Sequence, residues 1–494
     1  MHIQRIAVVG FSVVLGLGNC GCSDRNVDQG WASPRPLGKE IASYTPPLQP
    51  TTAPATILEV KEPKGPLTLS QALALSLMKN PNLASFAWEV RAKEAQTLQA
   101  SLPPNPELSV EVEDIRLSSS KEKTTRKRIT ASSEETVEVE HETETASGPP
   151  SGLEGAQYTI ALSQVIEMGG KRAKRTQVAA WEQKLASWDY EVARLDILTD
   201  VTKGFVDVVS AQQRVALAQE LVGLAERSLQ TVAERVKAGK VSPMEESKAR
   251  VALATSRIDL KQAHRRLEAA RKRLAYLWGA NRPTFDQVLG DLLAVREIPS
   301  EDDVLALISE NPDLVRWADE MEQRQAAVTL AKAKGIPDLT VSGGYRYIGA
   351  DKENALVFGV SAPLPVFDRN QGGIQEAKYR FSKALEDREA ARVRVQTVLA
   401  EGYQALSSAY IEATTLRQEV LPQAENAFKA STEGFQRGKF GYLEVLDAQR
   451  TLFEVRDRYI ETLASYHKSV ADVERLIGTP LISLNGNQMR KERK

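Results

Sequence analysis

Cysteine is almost missing from this chain. Cys20 and Cys22 are the only two, both close to the start. No paired CxxC therefore exists to hold a metal or to run redox chemistry. Histidine is also scarce, with only His2, His141, His264 and His467. They stand singly, so the sequence gives no metal site and no cofactor. No HExxH or GxSxG occurs. Gly169-Gly170-Lys171-Arg172 lacks the first Gly and the Ser/Thr of a phosphate loop. No catalytic constellation is legible, and an enzyme is not expected. Neither sign of charge dominates, with 64 Lys+Arg against 65 Asp+Glu. That balance argues against a nucleic-acid partner. After the first residues, no run approaches the 18 or more apolar residues of a membrane-spanning helix.

The start itself reads as an export signal. Arg5 precedes an apolar run from Ile6 to Gly18, too short to span a bilayer and right for a signal core. Leu17-Gly18-Asn19-Cys20 resembles a bacterial lipobox. Cys22 follows Gly21 but has Asn19 in the Leu position. Residues 1–22 are thus a signal and lipobox, with lipidation expected at Cys20 or Cys22. Residues 23–66 carry Pro34, Pro36, Pro46, Pro47, Pro50, Pro54, Pro63 and Pro66, which predicts an extended linker with little structure of its own.

The body of the chain repeats itself. Asn80-Pro81-Asn82-Leu83 returns as Asn311-Pro312-Asp313-Leu314. Pro106-Glu107-Leu108-Ser109-Val110 returns as Pro337-Asp338-Leu339-Thr340-Val341. The offset is 231 residues in both cases, and it falls to 199 between Gly239-Lys240 and Gly438-Lys439. The difference marks an insertion in the first copy, a charged loop at 116–154. Two structural repeats follow, 67–279 and 301–478, with a linker at 280–300 and a tail at 479–494.

Each repeat reads helix, strand, strand, long helix, helix. Leu108, Val110 and Val112 alternate with Ser109, Glu111 and Glu113, the period of a strand with one apolar face. Strands are expected at about 106–115 and 156–166, then at 337–347 and 355–364. Val178, Trp181, Leu185, Trp188, Val192 and Leu195 step by three and four, and Val201 to Val236 continue at sevens. That is a coiled-coil seam. Leu253, Leu260, Leu267 and Leu274 carry the returning arm. Gly239, Lys240, Val241, Ser242 and Pro243 turn the chain between them, with Gly as stop, Ser as N-cap and Pro at the first helical position. Helical hairpins are expected at 171–278 and 371–478. In the second, Leu385, Leu399, Leu406 and Val420 face Leu446, Phe453 and Ile460, and Pro422 should kink the first arm.

Four strands of membrane-spanning length cannot close a barrel, and an open sheet edge cannot stand in lipid. If they cross a membrane, several chains must each give a part. The fold class expected is mostly α with a small membrane β part.

From Leu67 to Gly478 the chain resembles the TolC family of outer-membrane efflux proteins. The duplication, the Asn-Pro pairs, the Gly-turned tips and Pro363-Leu364-Pro365-Val366-Phe367-Asp368-Arg369-Asn370 carry the likeness. Leu162-Ser163-Gln164 through Met168-Gly169-Gly170-Lys171-Arg172 is most similar to the branch serving cobalt, zinc and cadmium efflux. Val165 departs from it, standing where the family has Pro. The resemblance implies a homotrimer with a twelve-stranded barrel in outer-membrane lipid and a coiled-coil tunnel in the periplasm. It implies a periplasmic adaptor (a membrane fusion protein) and an inner-membrane resistance-nodulation-division pump as partners. By family position, Glu444 and Asp447 would line the closed periplasmic aperture, with Glu245 and Glu246 in the comparable place. The adaptor contacts would be Gly239 to Pro243, together with Gly438, Lys439, Phe440, Gly441, Tyr442 and Leu443. On spacing alone, Glu444 and Asp447 read first as a solvated pair on one helical face. The alternatives are a channel for drugs or secreted proteins, and a periplasmic structural or adaptor coiled coil.

Overall fold

The structure, a computed structural model, describes residues 31–47, 62–115 and 155–482. Cys20, Cys22, the charged loop 116–154 and most of the tail lie outside the described residues.

The same series of elements occurs twice. The first comprises β1 (Leu67–Thr68), α1 (Leu69–Lys79), α2 (Pro81–Ser101), β2 (Glu107–Glu113), β3 (Gln157–Ile166), α3 (Lys171–Lys237) and α4 (Pro243–Tyr276). A short β4 (Val288–Leu289) then pairs in parallel with β1. The second comprises α5 (Glu301–Ala306), α6 (Pro312–Lys334), β5 (Leu339–Ile348), β6 (Glu353–Ser361), α7 (Gln371–Thr415), α8 (Leu421–Gln436) and α9 (Tyr442–Ile477).

Each Asn-Pro pair opens a helix, because Pro at the first helical position has no N–H to leave unpaired. Asn80 Oδ1 accepts the N–H groups of Asn82 and Leu83, and its Nδ2 donates to the Leu277 carbonyl at 2.8 Å. Asn311 Nδ2 likewise donates to the Leu476 carbonyl at 2.7 Å. Each Asn thus ties the beginning of its copy to the helix that ends it.

The 67-residue α3 is roughly 100 Å long by its rise of 1.5 Å per residue. Leu195, Val201 and Val208 on its seam are buried, as are Leu253 and Leu274 on α4. Near its middle α3 is surrounded by α1, α2 and the 285–292 segment. Leu75, Leu77, Leu83, Leu195, Val201, Phe205 and Phe285 form one core there.

Between α7 and α8 the helix widens into a π turn, Leu416–Val420. Pro422 follows two residues after it. Its ring collides with the carbonyl four residues back and it offers no N–H, so a wider turn relieves both. A kink was expected at this place, and what the structure has there is a π turn. Leu399 and Leu406 are buried, but Val420, read on the same stripe, is 37% exposed within the widened turn. Leu385 is exposed as well.

The proline-rich stretch is extended where it is described, and it is not free. Residues 31–47 contain no helix or strand, yet they are docked on α3 rather than loose. Trp31 packs edge-on against Tyr190, with ring centroids 4.9 Å apart. Glu191 accepts the Arg35 N–H at 2.7 Å, and Arg194 donates to the carbonyls of Leu37 and Gly38. Proline keeps this segment extended, and an extended segment offers its carbonyls to whatever donor lies beneath.

Candidate functional site

The sheet has the order β2-β3-β5-β6 with every neighbour antiparallel, and β2 and β6 are open edges. Its register sorts the side chains. Val110 pairs with Ile160, Ile160 with Tyr345, and Tyr345 with Leu356. Leu108, Leu162, Gly343 and Phe358 form the next row on that face. The opposite face holds Glu111, Thr159 and Arg346 in one row and Ser109, Ala161 and Gly344 in another. There Arg346 donates to the Thr159 hydroxyl at 2.9 Å and pairs with Glu113 at 3.4 Å. The apolar face is bare: Leu108 is 70% exposed and Phe358 76%. In water such a face is a liability; against hydrocarbon it is what a membrane strand requires.

The strands lead into the helices through tight junctions. Gly169 and Gly170 both take φ near 67°, the left-handed region, and a Cβ at Gly169 would press on Ile336. Lys171 pairs with Asp338 at 2.8 Å and Arg175 with Glu167 at 2.6 Å, binding the foot of β3 to that of β5 and to α3. Phe367, in the loop before α7, is 90% exposed.

At the far end, the two hairpin tips sit together. Val232 and Ala249 of the first pack with Phe435, Tyr442 and Val445 of the second. Gly239 and Gly438 supply the left-handed residue that ends α3 and α8. Ser242 caps α4 through Met244 N–H, with Pro243 behind it. Tyr442 is buried, which raises its pKa, while Phe440 and Leu443 stay exposed. Glu444 and Asp447 are exposed on the side of α9 turned away from Tyr442 and Val445. The other acidic pair behaves differently. Glu246 is taken by Arg250 at 2.5 Å, and one Glu245 carboxylate oxygen is shielded without a partner. Among the described residues no hydrogen bond or ion pair joins Glu245 or Glu246 to Glu444 or Asp447.

Sequence reasoning missed the bonds between hairpins. Arg235 of α3 lies over the Phe435 ring at 4.2 Å and donates to the Gln436 carbonyl at 3.0 Å. Arg456 of α9 holds Glu220 of α3 and Glu425 of α8, each at 3.0 Å. Burial opposes its charge, but those hydrogen bonds outweigh burial and raise its pKa. Arg214 pairs with Asp457, and Lys203 with Asp472, farther up the same contact. Apart from Arg456 and Glu425, which join the two arms of the second hairpin, these partners are 200 or more residues apart in sequence, and only the duplicated period could have suggested them.

A sheet with one largely apolar face, set on long helical hairpins, is the build of an outer-membrane channel protein. The chain belongs to the family described as Outer membrane efflux protein, which matches it at residues 72–280 and 305–479. It is 36% identical to the cobalt-zinc-cadmium resistance protein CzcC of Cupriavidus metallidurans, over 90% of this chain and 98% of that protein. It is 25% identical to the nickel and cobalt resistance protein CnrC of the same organism, over 72% of this chain and 74% of that one. Its fold is similar to the solved structure of the outer membrane protein VceC from Vibrio cholerae. The TM-score there is 0.64 at 18% identity, covering 84% of this chain and 96% of the other.

Proposed function

We propose that three copies of this chain form the outer-membrane exit duct of a tripartite efflux complex that exports divalent heavy-metal cations. The division of the sheet into one apolar and one polar face is the observation that carries this reading. With two open edges per sheet, closure in lipid demands partners for β2 and β6. Three four-stranded sheets give a twelve-stranded barrel, apolar outside and polar within. The hairpins then make a tunnel reaching into the periplasm. The duct supplies no energy. A periplasmic adaptor at the tips and an inner-membrane resistance-nodulation-division pump complete the complex, and Gly239 to Pro243 with Gly438 to Leu443 form the adaptor contacts. The likeness to CzcC and CnrC supports metal cations as cargo. Lipid attachment at Cys20 or Cys22 belongs to the same proposal.

The test is a deletion strain grown in graded zinc, cobalt and cadmium, with dyes and antibiotics alongside. Hypersensitivity to the metals alone, reversed by the cloned gene, is the expected result. Sensitivity to the drugs alone would move the protein to the general exporters.

At the tips, Glu444 and Asp447 would repeat three times around the closed aperture and favour cations. Replacing both with Ala should raise closed-state conductance about two-fold or more and lower the cation preference. Unchanged currents in planar bilayers would return the pair to a solvated helical face.

A further inference from the structure

An open groove of about 1580 Å³ runs along the helical wall, floored by α3 and sided by α4 and α9. It lies on the bare side of that wall. On α3, Gln212 exchanges hydrogen bonds with Val288 at 3.1 and 2.9 Å, and Phe205 and Val209 lie against Gly290. Asp207, Ser210 and Arg214 line the groove instead. At 100° per residue the two sets fall on opposite sides of α3. The same holds for α9: Tyr466 and His467 bond to Arg296 and Leu292, while Asp457, Glu461 and Lys468 face the groove. The 285–296 segment thus covers one side of the wall as a belt, and the groove lies on the other. On the duct reading, to which this inference is tied, that surface is the tunnel lumen.

The charges in the groove are unevenly satisfied. Toward α9 every cation has a carboxylate. Arg214 is held by Asp457 and Glu461, Arg450 by Glu454, Arg458 by Glu412 and Lys468 by Asp207. Toward α4 the balance fails. Lys248, Arg266 and Arg273 line the groove with no hydrogen bond or ion pair among the described residues, and Asp259 is the one carboxylate beside them. Arg266 and Arg273 stand seven residues apart, so two turns of α4 stack them on one face.

We propose that Arg266 and Arg273, repeated around the threefold tunnel, form a cationic collar that binds multivalent oxyanions and sets the charge selectivity of the mid-tunnel. Rings of Arg or Lys are the common device of anion and phosphate pores. A cleft walled by low-dielectric protein focuses their field, and at about 10.5 Å along the helix the two stand little farther apart than the Debye length of about 8 Å at physiological salt. The guanidinium fork suits a tetrahedral oxyanion. The duct is then segmented: carboxylates at the tip and free arginines above them. Metal cations that enter through the tip cross this zone with concentrated counter-anions and do not adhere to its wall.

Purified protein in planar bilayers tests this. Reversal potentials in a KCl gradient and conductance with added inorganic phosphate are the two readouts. Phosphate should lower the conductance of the native channel. Arg266→Gln with Arg273→Gln should abolish that response and move the permeability ratio about two- to three-fold toward potassium. Lys at both positions should keep the phosphate response. Arg265→Gln, whose native side chain is bonded to Glu268 and lies outside the groove, should change neither readout. Arg266→Gln alone, a smaller perturbation, should weaken both effects in the same direction. A conducting double-Gln variant with native selectivity and native phosphate response would overturn the collar. So would a native channel indifferent to phosphate. Absence of any conductance from the native protein would instead overturn the duct reading and the collar with it.

Discussion

Arg194→Ala is expected to destabilise the protein by about 3 to 5 kcal/mol and to release residues 31–47 from α3. Arg194 and Glu191 are each buried to 3% side-chain exposure and meet through two bonds of 2.7 Å. The same guanidinium donates to the carbonyls of Leu37 and Gly38, and Glu191 accepts the Arg35 N–H. Removing Arg194 leaves a carboxylate deep in the belt with one backbone donor for company. The cost is that of an unpaired buried charge, well above the loss of a surface ion pair. Thermal unfolding and limited proteolysis within 31–47 read the two parts of the effect. A loss under about 1 kcal/mol with unchanged proteolysis would show that the docked segment is held by Trp31 and its neighbours alone.

Phe358→Arg is expected to cost about 2 to 4 kcal/mol and to lower the yield of outer-membrane protein sharply. Phe358 sits mid-strand on the apolar face, paired across to Gly343 and 76% exposed in a single chain. On a sheet facing water, an arginine there would be harmless or helpful. On a sheet facing lipid, it must be buried with its charge. Ser109→Arg, on the polar face of β2, is the matched control and should assemble normally. Equal yields from the two variants would mean that the apolar face does not meet hydrocarbon.

Local periodicity explains what could be read in advance. The alternation at Leu108–Glu113 and the sevens from Val201 to Val236 are written within single elements, where neighbours in sequence are neighbours in space. Gly239, Ser242 and Pro243 state a stop, a cap and a first turn in five residues. The π turn was half legible: Pro422 demanded a distortion, but its wider pitch, and the rotation of Val420 off the seam, depend on packing. What stayed hidden joins distant parts of the chain. Arg194 and Leu37 are 157 residues apart, and nothing near Arg194 announces that an extended segment will cross it. The one hint was a Glu191–Arg194 pair one turn apart on the helix. The pair proposed for the aperture, Glu444 and Asp447, was visible as two carboxylates three residues apart, but a ring around a threefold axis belongs to no single chain. Arg266 and Arg273 were passed over because charged residues on a helix are usually a solvated face, and only the pairing of every cation opposite makes them unusual.

The central claim is that this sheet is one third of a barrel. Native mass measurement of the protein extracted from the outer membrane in mild detergent tests it most directly. Three chains per particle is the predicted result. A particle of one or two chains would leave β2 and β6 without the partners that a lipid-embedded sheet requires, and would contradict the account.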